Sequence, residues 1–218
     1  MVGDADGAYR TVAARGSAAF TVRGSEFVGH AAPARTVEEA EAFVAEVRAA
    51  HPDATHNVPA YRVRDEDGPL REYASDEAEP SGSAGKPALN VLARRELENV
   101  AVVVARYYGG TKLGVGGLAR AYAKATKLAV DDAGVVEQVP HLRLAIGTAY
   151  DDSGTVRGIL ESEGVEFEAD YGERVRFDVW LPVDEAERVQ ERIRSATSGR
   201  ADLESSSPRR TGDASTGG

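Results

Sequence analysis

The sequence predicts an α+β protein of two domains, and three observations carry that prediction. The chain has 218 residues, enough for two hydrophobic cores at about 100–200 residues per domain. Residues 141–204 run through apolar alternations and helical periods in the order β-α-β-β-α-β, the ferredoxin-like plan. Residues 9–136 show a different pattern of short strands and three helices, and the two patterns meet near Pro140.

In the first domain, strands are expected near 10–15, 17–23 and 25–32. A helix then opens on the capping box Thr36-Val37-Glu38-Glu39, with Val37, Ala40, Phe43, Val44 and Val47 on its inner face, and ends at His51-Pro52. Strands around 57–64 and 70–73 flank an acidic turn, Asp65-Glu66-Asp67-Gly68. A Gly/Ser-rich loop leads to Lys86 and a short helix ending near Arg95. Val100 to Ala105 is a continuous apolar run, which fits a strand covered on both faces. A Gly-rich loop then enters a helix from about Val115 to Asp132. Two layers are expected in each domain.

In the second domain, Leu142, Leu144 and Ile146 alternate as a half-buried strand. Asp152 reads as the cap of a helix carrying Val156, Ile159 and Leu160, which stops at Gly164. Val165, Phe167 and Ala169 form one alternation and Val175, Phe177, Val179 and Leu181 the next, with Tyr171-Gly172-Glu173 as the hairpin between them. Asp184 reads as the cap of a helix with Ala186, Val189 and Ile193 inward, and 201–204 as a last strand. Residues 1–8 and 205–218 are polar, lack apolar periodicity, and are expected to be disordered tails.

The chain has no Cys, which excludes disulfide scaffolds, thiolate zinc sites, cysteine nucleophiles and Fe–S clusters. No stretch approaches the roughly 18 apolar residues of a membrane span, and no basic segment precedes an apolar run at the start. A soluble, cytoplasmic protein with no membrane partner is expected. Net charge is −10, so the surface as a whole repels polyanions. Few Lys and many Asp, Glu and Arg suggest a salt-rich, halophile-like cytoplasm. The four lysines, Lys86, Lys112, Lys124 and Lys127, nevertheless all lie between 86 and 130, a segment of net charge +6 against −16 for the remainder.

The segment Arg106-Tyr107-Tyr108-Gly109-Gly110-Thr111-Lys112-Leu113-Gly114-Val115-Gly116-Gly117 joins the buried strand to the last helix of this domain. Its glycines allow backbone N–H groups to approach a phosphate near the positive end of the helix dipole. It is not a Walker loop, because Val115-Gly116 replaces the Lys-Ser/Thr that would hold magnesium. In the following helix Leu118, Ala121, Tyr122, Ala125 and Ala129 share one face, and Arg120, Lys124 and Lys127 the opposite one, a basic stripe suited to a polyanion. A second loop, Ser75 to Pro87, brings the acids Asp76, Glu77 and Glu79 together with Ser81, Ser83 and Lys86. Three acids in five residues can act as general bases, and they serve equally for capping and loop geometry. His51 and His56 flank Asp53 without the i, i+4 step of a helical metal pair, so no metal site is expected.

Three blocks in order, His51-Pro52-Asp53-Ala54-Thr55-His56-Asn57 with Ala60-Tyr61, Ser75 to Pro87, and Arg106 to Tyr122, closely resemble the signature blocks of the YigZ/IMPACT family. The resemblance implies a first domain, 9–136, with the ribosomal protein S5 domain 2-like sandwich fold. It also implies a ferredoxin-like second domain, 141–204, similar to domains of elongation factor G. Members of the eukaryotic branch regulate translation. Ala78 stands where the family usually has Gly, and Val58-Pro59 replaces a more usual Cys and bulky residue.

The resulting expectation is a translation-associated, non-enzymatic protein that binds RNA or the ribosome and needs no cofactor. Its binding residues would be Arg106, Tyr107, Tyr108, Gly109, Gly110, Lys112, Gly114, Gly116, Gly117, Arg120, Lys124 and Lys127. The rival is an enzyme acting on a phosphate-containing or nucleotide-like ligand, with Asp76, Glu77 and Glu79 as acid/base groups, His56 and Tyr61 beside them, and Ser81, Ser83 and Lys86 in the same loop.

Overall fold

A computed structural model describes residues 8–64 and 68–207. Most of the acidic turn (65–67) and most of the two expected tails (1–7 and 208–218) lie outside the described residues. The chain divides into two compact units, one spanning Tyr9–Glu137 and the other beginning at Gln138.

The first unit contains β1 (Tyr9–Val12), β2 (Gly16–Val22), β3 (Ser25–Pro33), α1 (Val37–Ala50), β4 (His56–Val63), β5 (Arg71–Ala74), α2 (Gly85–Arg94), β6 (Val100–Tyr107) and α3 (Val115–Ala133). A further short strand, β7 (Val135–Gln138), pairs with β1. The main sheet has the order β2-β3-β6-β4-β5 with every neighbouring pair antiparallel. The continuous apolar run of β6 is explained by its place at the centre of this sheet. Val100, Val102 and Val104 pack among α2 and α3 side chains, whereas Ala101 and Val103 pack with Phe43, Val44 and Val47 of α1. Helices therefore cover both faces, and this unit has three layers rather than the expected two. The unbroken apolar run of β6 already implied a cover on each side.

Local signals place the helix ends. Thr36 caps α1, its hydroxyl accepting from Glu39 N at 3.1 Å, and the Glu39 carboxylate accepts from Arg35 N at 2.7 Å. Arg23 and Gly24 both have positive φ, 48° and 81°, at the tight turn between β2 and β3, the backbone twist such hairpins favour.

The second unit contains β8 (His141–Thr148), α4 (Tyr150–Ser162), β9 (Phe167–Tyr171), β10 (Val175–Pro182), α5 (Val183–Ala196) and β11 (Asp202–Ser205). Its sheet has the order β11-β8-β10-β9, all antiparallel. Leu144, Ile146, Phe177 and Val179 form one core with Val156, Leu160, Val189 and Ile193 of the helices. The βαββαβ order is thus realised, with two corrections to the helix starts. Ala149, not Asp152, precedes α4, and Pro182, not Asp184, precedes α5. Both aspartates lie in the first helical turn, where negative charge is favoured by the dipole, and Asp152 accepts a bidentate pair from Arg200 at 2.7 and 2.9 Å. Ser205 and Ser206, assigned to the tail, belong to the sheet edge: Ser205 lies opposite Leu144, and Ser206 N donates to Arg143 O at 2.9 Å.

Candidate nucleic-acid interface

Strand alternation decides which of the expected site residues meet. On β6, Arg106 follows Val104 onto the face covered by α2 and α3, with Phe27 and His56 as its cross-strand neighbours. Arg106 is buried, 4% exposed, beside a Glu79 that is 8% exposed. Arg106 Nη1 donates to Glu79 Oε1 at 2.5 Å, Tyr122 Oη donates to the same oxygen at 2.7 Å, and His56 Nε2 lies 3.7 Å away. Arg106 Nη2 is 3.4 Å from Ser25 Oγ, which also accepts from Gly109 N at 3.1 Å. Burial, reinforced by the Glu79 carboxylate, pushes the Tyr122 hydroxyl well above its ordinary pKa and keeps it a donor. This network ties the 75–86 loop to β6, α3 and the β2–β3 hairpin. Arg106 therefore positions the loops, and its charge is neutralised inside the protein.

The other acids of the second loop are also engaged. Asp76 accepts from Gly82 N, Ala84 N and Gly85 N at 2.7–2.9 Å, closing the start of α2. Burial favours a higher pKa there, but the three donors outweigh it and hold the carboxyl below the ordinary aspartate value of 3.8. Glu77 pairs with Arg48 at 2.6 Å, and its carbonyl accepts from His56 Nδ1 at 2.7 Å. Glu77 and Ala78 both have positive φ, 45° and 66°, which explains why glycine suits position 78. Ser81 and Lys86 are exposed, and Ser83 is buried with its hydroxyl unpartnered among the described residues.

A depressed carboxylate pKa stabilises the fold above the unfolded value and loses that contribution as pH falls through the folded one. Asp76→Asn is accordingly expected to be less stable than wild type at neutral pH, with the gap narrowing on acidification below about pH 4. Urea unfolding across that range tests this, and a gap that stays constant or widens would contradict the assignment.

Two expected site residues sit elsewhere. Tyr61 points to the α1 face, packed with Val44 and Val63 and stacked on Tyr73 at 5.0 Å between ring centroids, away from Glu79. Tyr107 points to that same face, half-buried, where its hydroxyl meets His51 Nδ1 at 2.7 Å, and His51 Nε2 meets His30 Nε2 at 2.8 Å. Both follow from the period of two along a strand, which separates Tyr107 from Arg106 and Tyr61 from Ala60. Tyr108, by contrast, is 46% exposed, its ring centroid 5.4 Å from the Arg106 guanidinium carbon.

The Gly-rich loop leaves β6 against the hairpin turn. A Cβ on Gly109 would stand 1.9 Å from the Gly24 carbonyl group, so only glycine allows this approach. Gly110 and Gly114 have positive φ and open space around them, and Gly114 precedes α3 without any side-chain cap. Gly116 lies in the first turn of α3, and Lys112 is exposed. Leu118, Ala121, Tyr122, Ala125 and Ala129 are buried, as the periodicity predicts, and Arg120, Lys124 and Lys127 are exposed. Lys127 is paired with Asp131 at 2.6 Å, so the free charge of the stripe lies in its first half.

That half lines a groove of about 370 Å³. Phe20, Thr21, Val22 and Arg23 of the hairpin form one wall, and Leu113, Gly117, Arg120, Ala121 and Lys124 the other. Three cations, no carboxylate and an apolar floor thus face one another. Phe20 and Arg23 were not among the residues expected from the sequence. The available signal was an arginine at the tip of a hairpin, which gains meaning only when α3 is known to lie beside it.

The chain matches the Impact N-terminal domain over residues 23–130 and a domain of unknown function (DUF1949) over residues 146–200. It is 35% identical over 196 residues to the IMPACT family member YvyE of Bacillus subtilis, covering 89% of each chain. It is 34% identical over 162 residues to the IMPACT family member YigZ of Escherichia coli, covering 74% of this chain and 79% of that one. A solved structure titled as that of a hypothetical protein superposes with a TM-score of 0.63 at 29% identity, covering 90% of this chain and 96% of the other. With both units matched in order and relatives aligned along most of their length, the chain belongs to the IMPACT family.

Proposed function

We propose that this protein is a translation-associated RNA-binding protein, acting on the ribosome or on RNA bound there, and that the hairpin–α3 side of the first unit is its contact surface. The observation that carries the reading is charge. Arg23, Arg120 and Lys124 converge on one groove, with Lys112 on the adjoining loop, in a chain of net charge −10. Among the described residues none of the three groove cations pairs with a carboxylate, whereas Arg15, Arg48, Arg62, Arg64 and Arg95 all do. Unpaired cations on an acidic protein create a local field that a polyanion can neutralise with release of its counterions. The open backbone at Gly110 and Gly114 and the exposed Tyr108 ring add short-range contacts that salt does not screen. The association with translation rests on the family. Asp76, Glu77 and Glu79 are each committed to structural partners, which favours binding over acid/base chemistry.

Arg120→Glu combined with Lys124→Glu is expected to weaken RNA binding at least about tenfold near physiological salt. It should also flatten the log–log salt dependence, by about 0.7 in slope for each single-strand phosphate that is no longer neutralised. Arg15→Glu, on the α1 side of the sheet, is the control. Filter binding across salt concentrations, with ribosome cosedimentation alongside, measures both. Unchanged binding by the double variant would overturn the proposal.

A further inference from the structure

We infer that the groove between β2 and α3 is a base-stacking subsite with Phe20 as its platform, which makes the protein selective for single-stranded over double-stranded RNA. This deepens the RNA-binding reading above and rests on it. Phe20 is held from behind: its ring stacks on Phe27 with centroids 5.5 Å apart and planes 11° from parallel. Phe27 is fully buried and meets Tyr122 edge-on at 5.2 Å. The platform is therefore rigid and continuous with the buried network around Glu79. In front, the Lys124 ammonium stands 4.3 Å from the Phe20 centroid and has no carboxylate partner among the described residues.

A lysine over an aromatic ring keeps a π face covered while remaining free to swing aside. A base entering the groove would take the place of the ammonium on Phe20, and Lys124 would turn to the adjoining phosphate. Val22, Leu113 and Ala121 supply the apolar surround, and Arg23 and Arg120 line the same groove as cations for the adjoining phosphates. The volume, about 370 Å³, is near the lower end of small-ligand pockets, about 300–1,000 Å³, and suits one planar base rather than the flank of a helix. In a duplex the base faces are stacked and paired inside, so a duplex offers Phe20 no free π face, and its phosphates are bound by the cations without regard to strandedness.

The test compares a labelled oligoadenylate, its duplex with oligouridylate, and an abasic strand with the same phosphates, by fluorescence anisotropy with the intact chain. Wild type is expected to bind the single strand about tenfold or more tightly than the other two, the range that stacking of one base supplies. Phe20→Leu keeps an apolar side chain there without a π face and is expected to reduce the single-strand affinity to that of the duplex. Arg120→Glu with Lys124→Glu should weaken all three. Equal wild-type binding to all three ligands would overturn this inference alone, as would a single-strand preference that survives in a folded Phe20→Leu protein. Failure of wild type to bind any of them would overturn it together with the RNA-binding reading.

Discussion

Glu79→Ala is expected to destabilise the first unit by about 3–5 kcal/mol, the cost of leaving one partner of a buried ion pair uncompensated. Glu79 and Arg106 are both more than nine-tenths buried and bonded at 2.5 Å, and the same carboxylate oxygen accepts from Tyr122. Removing it strands a guanidinium whose Nε already lacks a partner, together with a phenol that has lost its acceptor. Arg106→Met should cost a similar amount, because it leaves the carboxylate buried with the Tyr122 hydroxyl bonded to it and only His56 Nε2, at 3.7 Å, as a further polar neighbour. The double variant, Glu79→Ala with Arg106→Met, should cost much less than the sum of the two, since neither charge then remains. Urea unfolding of the four proteins measures this. Strict additivity, or single-variant costs below about 1 kcal/mol, would show that the pair does not hold the loops together.

Gly109→Ala should be the most damaging single-methyl addition in the loop, at about 1–3 kcal/mol from overpacking alone. Its Cβ would meet the Gly24 carbonyl group at 1.9 Å and Ser25 N at 2.4 Å, all backbone atoms that no rotamer change can move. Relief requires the hairpin turn to shift, which breaks the bond from Gly109 N to Ser25 Oγ and displaces the groove wall formed by Phe20 to Arg23. RNA affinity should therefore fall along with stability. Gly110→Ala separates these effects: its φ of 85° is strained for alanine, but nothing lies within 4 Å of the added carbon. That change should cost about 1 kcal/mol, through the left-handed backbone alone, and leave the hairpin in place. Indistinguishable stability and RNA affinity for the two variants would contradict the close approach.

Much of the architecture could be read from apolar spacing. The period of two in Leu142, Leu144 and Ile146 and the 3.6-residue period from Leu118 to Ala129 both point to the faces that are in fact buried. The short β7 was not visible in this way, because its pairing with β1 depends on chain more than 120 residues away. The caps at Asp152 and Asp184 were misplaced for a related reason. An aspartate is favoured anywhere in the first turn, so composition alone cannot say which residue begins the helix.

The sequence by itself determined two units, the order of their elements apart from β7, the double cover of β6 and the outward basic stripe of α3, all of which follow from local patterning. Only the tertiary structure decided which side chains form a site. Glu79 meets Arg106 across 27 positions, and Phe20 lies under Lys124 from opposite ends of the unit. Arg106 and Tyr107 are neighbours in sequence yet act on opposite sides of one sheet. Side-chain direction along a strand is set by a period of two, but which strand lies beside which, and in what register, depends on packing between distant segments that no local pattern encodes.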